Sequence, residues 1–158
     1  MGKYKLELKW AIIFFIVSMI WMLLERISGL HDSNIGYHAQ LSPIFAIPAI
    51  LVYVFALLDK RKNYYDNKIT WKQGFISGIF ISIFVTILSP LGQLLTHYVI
   101  SPDYLENAAN YAVEIGKMTE IDAKNYFNFS SYLLQSIIGA LMMGALTSAI
   151  VAIFVKRK

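Results

Sequence analysis

The chain contains no cysteine, which excludes disulfides, thiolate metal sites and cysteine nucleophiles, and leaves any loop outside the bilayer to hold its shape by packing alone. Charge is scarce as well: 15% of the 158 residues are Asp, Glu, Lys or Arg, against about 25% in an ordinary soluble domain. Catalytic signatures are missing. There is no G-x-S-x-G, no H-E-x-x-H and no Walker-type glycine loop, so neither a hydrolase elbow, a zincin helix nor a phosphate cradle is expected.

What the chain has is hydrophobic length. It is 57% hydrophobic, with a mean hydropathy of +0.54. Four apolar runs stand out, at about 10–30, 41–58, 71–100 and 132–155. At 1.5 Å per residue the first gives roughly 31 Å, close to the hydrocarbon thickness. With no A-x-A-like site after it, that run reads as a retained helix rather than a cleaved signal peptide. The expected fold is therefore all-α: one integral membrane domain of four transmembrane helices, residues 1–158, with an outer helical loop at about 101–131.

Basic residues set the expected orientation. Lys3, Lys5 and Lys9, then Lys60, Arg61, Lys62, Lys68 and Lys72, then Lys156, Arg157 and Lys158 are eleven of the fourteen, and all flank one side. Both termini are expected to be cytoplasmic, and the net charge of +4 is explained without nucleic acid. Trp10 and Trp71 fall at the same boundary, where amphipathic rings favour the headgroup layer. In the long loop, Ser101 with Pro102 predicts a helix start, Tyr104, Ala108, Tyr111, Ala112 and Ile115 form one apolar stripe, Gly116 ends it, and Thr119 with Asp122 opens a second helix that runs toward the last span.

Small residues predict how the helices pack, since lipid gives no hydrophobic drive for association. The third span carries Gly74, Gly78, Ser82 and Thr86 at intervals of four, and the fourth carries Ser136, Ala140, Gly144, Ser148 and Ala152. Two such ladders pack closely, within one chain or across a homo-oligomer. Pro48 and Pro90 are expected to kink their helices.

The span centres lack ionisable groups. The polar residues collect instead on the predicted outer side: Glu25, Arg26, His31, Asp32, His38, Gln40, Gln93 and His97. Interfacial polar packing is the plain reading. Zinc binding or pH sensing are the functional ones, but His31, Asp32 and His38 have no recognised ligand spacing, so no metal or cofactor is expected. Asn128-Phe129-Ser130 matches a glycosylation acceptor only formally.

The segments GLHD, FAIPAILVYVFALLDK, TWKQGFISG, LSPLGQ, PDYLENAANYAVEIGKMT, AKNYFN and IGALMMGALTSAIVAIFVKRK together resemble a bacterial family of four-span inner-membrane proteins catalogued as domain of unknown function 4199. The resemblance implies this architecture and a bacterial cytoplasmic membrane address, and it brings no activity or catalytic residue. The expected function is a non-enzymatic accessory or scaffold protein in the lipid bilayer, with a membrane-protein partner or a second copy of itself. The alternatives are a small oligomeric transporter or channel lined by Gln93 and His97 near Pro90, and a membrane enzyme acting on a lipid-linked substrate with Glu25 and His97 as acid and base.

Overall fold

Each apolar run becomes a long helix whose ends are set by local chemistry. The computed structural model describes residues 4–157; Lys3 and Lys158, used in the charge count, lie outside the described residues. Helix α1 is Lys5–Ile27, so it starts earlier and stops sooner than hydrophobicity alone predicts. It stops because Gly29 turns left-handed, at φ +79°. The Gly29 N–H then reaches the Arg26 carbonyl and the Leu30 N–H the Glu25 carbonyl, a Schellman closure with Leu30 buried behind it.

The second span is assembled from short pieces: a 3₁₀ turn at Ile35–Tyr37, α2 at His38–Leu41, a second 3₁₀ turn at Ser42–Phe45 and α3 at Ala46–Tyr64. It extends beyond the expected 41–58 at both ends. Pro48 does not break it. As the third residue of α3 it lies in the first turn, where an N–H has no intrahelical acceptor to lose.

Helix α4, Trp71–Leu95, opens with a capping box between Thr70 and Gln73 and contains Pro90. It runs on as a π-helical turn, Thr96–Ile100. Helices α5, Tyr104–Glu114, and α6, Glu120–Tyr126, form the loop. Helix α7, Phe129–Val155, begins with the Asn128 side chain accepting the Ser131 N–H at 3.0 Å.

The loop departs from expectation at one end. Helix α5 starts at Tyr104, not at Pro102, and Ser101 is no cap: it is buried and its hydroxyl is engaged elsewhere. Gly116, at φ +69°, does follow the end of α5, and Thr119 accepts the Asp122 N–H at 3.2 Å to cap α6. Helix α6 stops at Tyr126 and does not continue into α7.

Helices α4 and α7 share the most extensive contact and run antiparallel. A Cβ added at Gly74 would meet Ala152, one at Gly78 would meet Ser148, and one at Gly144 would meet Ser82 and the Tyr53 hydroxyl. Helix α1 lies on α4 and α3, and α3 also touches α7. The shared core includes Ala11, Tyr53, Leu57, Ile81, Val85, Val151 and Ala152. Outward faces carry Ile12, Ile16, Ile20, Ile47, Leu51, Phe55, Leu134 and Leu141. Among the described residues, four helices are long and apolar enough to cross a membrane, the makeup of a multi-pass membrane protein. Among the described residues the extended pairing is a single antiparallel bridge, Ile69 with Arg157.

Candidate functional site: a buried carboxylate and three histidines

The Schellman turn that ends α1 folds the chain back over its last turn. Glu25, in that turn, is therefore met by His31, six residues on. Both are almost fully buried, at 2% and 1% exposure. His31 Nε2 lies 3.2 Å from Glu25 Oε2, and His38 Nε2, at the start of α2, lies 3.8 Å from the same oxygen. The other carboxylate oxygen, Oε1, accepts the Trp21 indole N–H at 2.7 Å, one helical turn back.

The opposite face of His31 is held from the far side of the chain. Its Nδ1 is 2.6 Å from Ser101 Oγ, and its backbone carbonyl accepts the Asn107 side-chain amide at 3.0 Å. Tyr104 packs against both imidazoles, with ring centroids 4.7 Å from His31 and 5.1 Å from His38. Its hydroxyl is 3.4 Å from that of Tyr132. Burial, reinforced by Tyr132, pushes the Tyr104 phenol well above the usual tyrosine range.

These groups border a cavity of about 210 Å³ that Gln93, Thr96 and His97 also line. His97 arrives there on the π-helical turn, its ring against Tyr98 and Phe129. Its Nδ1 is buried without a hydrogen-bond partner. A second, more open groove of about 810 Å³ lies between α5 and α6, with His97 in its floor and Glu106, Glu114, Glu120 and Lys124 on its walls.

Of the polar residues singled out from sequence, Glu25, His31, His38, Gln93 and His97 thus share one cavity. Arg26 and Asp32 do not join it: they pair with each other on the exposed surface. The Asp32 carboxyl is held below its ordinary range by the Ser33 backbone N–H, with Arg26 adding to the effect. Gln40 is exposed. Asn128, the formal glycosylation acceptor, caps α7 and donates its amide to the Asn125 carbonyl at 2.6 Å.

Sequence reasoning passes over Trp21, one helical turn from Glu25, and reads Ser101 and Tyr104 only as a helix cap and part of an apolar stripe, because their contacts with His31 are distant in the chain. It also passes over a second polar cluster at the other end of the bundle. There Lys60 Nζ is 2.8 Å from Glu7 Oε1, which also accepts the Ser77 hydroxyl at 2.8 Å. Glu7 and Lys60 are buried, and Lys60 lies 3.6 Å over the Tyr64 ring. A signal was available: Tyr53, Ala56, Leu57 and Lys60 follow the i, i+3, i+4, i+7 pattern of one buried face.

No curated protein and no solved structure is significantly similar to the chain. A family model described as protein of unknown function, DUF4199, matches residues 9–157, and the chain belongs to that family.

Proposed function

We propose that this chain is a non-enzymatic accessory protein of the bacterial cytoplasmic membrane, with both termini in the cytoplasm and the α5–α6 hairpin presented outside to a membrane-protein partner. The observation that carries this reading is the closed middle of the bundle. Gly78 lies against Ser148 and Gly144 against Ser82, while Tyr53 and Ser82 bond to each other at 2.8 Å. Polar groups there are spent on internal bonds. A transport route would need them facing open space. The hairpin, in contrast, exposes Glu106, Asn110, Glu114, Glu120 and Asp122 around an open groove.

Two measurements on the full chain test the reading. Proteoliposomes of the purified protein are expected to hold proton and potassium gradients as well as empty vesicles do. A photo-crosslinking residue at Asn110 is expected to give one discrete heteromeric adduct in cells, absent with the same residue at lipid-facing Leu134. Gradient loss that depends on Gln93 or His97 favours a transporter instead.

The shared cavity supports a second reading, since it gathers Glu25 and His97, an acid and a base that a lipid-modifying enzyme would use. An unchanged lipid profile in cells carrying His97→Ala removes that reading.

A further inference from the structure

We infer that Glu25, His31 and His38 bind one divalent transition-metal ion, with Zn²⁺ preferred, at the end of the bundle opposite the start of α1 and the end of α7. The inference stands independently of the accessory role. One ligand atom from each residue lies within 4.8 Å of the other two. In a tetrahedral zinc site, bonds of about 2.0–2.1 Å place the ligand atoms roughly 3.3 Å apart. The two separations from Glu25 Oε2, 3.2 Å to His31 Nε2 and 3.8 Å to His38 Nε2, already bracket that edge. The remaining edge, between the two imidazoles, is at most 4.8 Å, and His38, the one partly exposed member at 24%, is the ligand with room to adjust.

Hydrogen bonding alone accounts for only part of this arrangement. Glu25 and His31 satisfy each other as a buried pair. His38 Nε2, at 3.8 Å, is too far from the carboxylate for a hydrogen bond, yet it points at the same oxygen. An ion between the three donors gives that convergence a cause. The supporting contacts are those a metal site requires. Trp21 occupies Oε1 and leaves Oε2 to face the two imidazoles, and Ser101 holds His31 Nδ1, which directs Nε2 toward the carboxylate.

The donor set chooses the ion. Two imidazoles and one carboxylate suit zinc, copper, iron, cobalt or nickel better than magnesium or calcium, which take oxygen cages; copper binds such donors more tightly than zinc but favours tetragonal geometry, so the preference for zinc rests on the tetrahedral spacing. Zinc binds such a set more tightly than ferrous iron or cobalt and imposes no geometry of its own. The three ligands border the cavity that Gln93 and His97 also line, which would leave room for a water to complete a four-coordinate shell. Such an ion joins α1, α2 and, through Ser101, the segment leading into α5.

The test is zinc titration of the full-length, chelator-treated protein in mild detergent, by calorimetry and native mass spectrometry, with thermal unfolding alongside. One Zn²⁺ per chain and a raised Tm are expected in the parent protein. His38→Gln and Glu25→Gln are each expected to weaken binding by about 10-fold or more, while Lys117→Ala, exposed beyond the end of α5, retains it. Cobalt substitution is expected to give the intense visible bands of four-coordinate geometry. Should Glu25→Gln fail to fold, His38→Gln carries the test, since its side chain is partly exposed. Folded parent protein that takes up no stoichiometric zinc overturns the inference, as does zinc uptake that His38→Gln leaves unchanged.

Discussion

Lys60 Nζ lies 2.8 Å from Glu7 Oε1, and the two side chains are 5% and 3% exposed. They join α1 to α3 at the end of the bundle where α1 starts and α7 ends, and Ser77 ties the pair to α4. A buried ion pair adds little over a well-packed apolar pair, but removing one partner strands the other charge. Lys60→Met is therefore expected to destabilise the protein by about 3–5 kcal/mol. The double variant Glu7→Leu with Lys60→Met should recover most of that loss. Denaturant unfolding in detergent of both variants checks it, and a double variant as unstable as the single one sinks the account.

The α4–α7 seam makes a sharper steric prediction. At Gly144 a Cβ would sit 2.6 Å from Ser82 Cβ and 2.7 Å from the Tyr53 hydroxyl, whereas at Gly139 nothing lies within 4 Å. Gly144→Val should cost about 1–3 kcal/mol by overpacking. Gly139→Ala should be neutral or slightly stabilising, since it removes only a flexible residue from a helix. Comparison of the two melting temperatures decides the matter. Equal effects at both sites would mean that α4 and α7 are not packed in this register.

The contrast between the two polar ends explains what sequence could reveal. The seam is legible because its small residues repeat every four positions on both partners, and that interval is a property of the helix itself. Glu25 is legible only in part: about fifteen residues beyond Trp10, it lies roughly 22 Å along the helix, near the outer edge of the hydrocarbon, a depth that fits an interfacial anchor as well as a buried carboxylate. His31 is not legible as its partner, because the meeting depends on a left-handed Gly29 ending α1 early, while hydrophobicity continues to Leu30. Ser101 reads as a helix cap from its Pro102 neighbour, and only the tertiary fold shows that His31 claims its hydroxyl. Lys60 is hidden by its neighbours, since Lys60-Arg61-Lys62 reads as a basic loop. Yet α3 continues to Tyr64, and Arg61 donates to the Val155 carbonyl at 3.0 Å.

Tyr104 couples the stability of the far end to alkaline pH. Its phenol is held neutral in the fold, while the unfolded chain releases that proton near the ordinary value of 10.0. Above that pH the folded state holds more protons than the unfolded one, so stability falls as pH rises. The contribution is present in full below about pH 9 and declines above about pH 10. Tyr104→Phe should flatten that decline and leave neutral-pH stability nearly unchanged. Unfolding midpoints of parent and variant measured from neutral to alkaline pH provide the check, and parallel curves would remove Tyr104 as the cause.

Sidedness is the last relationship open to a direct test, and the fold makes it an economical one. The start of α1, the connection from α3 to α4 and the end of α7 share one end of the bundle, joined by the Ile69–Arg157 bridge and the Arg61–Val155 bond. The hairpin α5–α6 lies at the other. One labelled position at each end therefore reports the orientation of the whole chain. Lys62, Lys68, Lys72 and Lys156 are exposed at the first end, and Glu106, Glu114, Glu120 and Asp122 at the second, so the positive-inside bias predicts a cytoplasmic first end. Because the chain has no cysteine of its own, Lys62→Cys and Asn110→Cys each introduce a single thiol at an exposed site. In the proposed orientation, a membrane-impermeant maleimide should modify Asn110→Cys once it reaches the outer face of the membrane that holds the protein, and Lys62→Cys only after that membrane is permeabilised. The reverse pattern would place the histidine cavity on the cytoplasmic side, where any zinc it binds would come from the cell's own buffered pool rather than from outside.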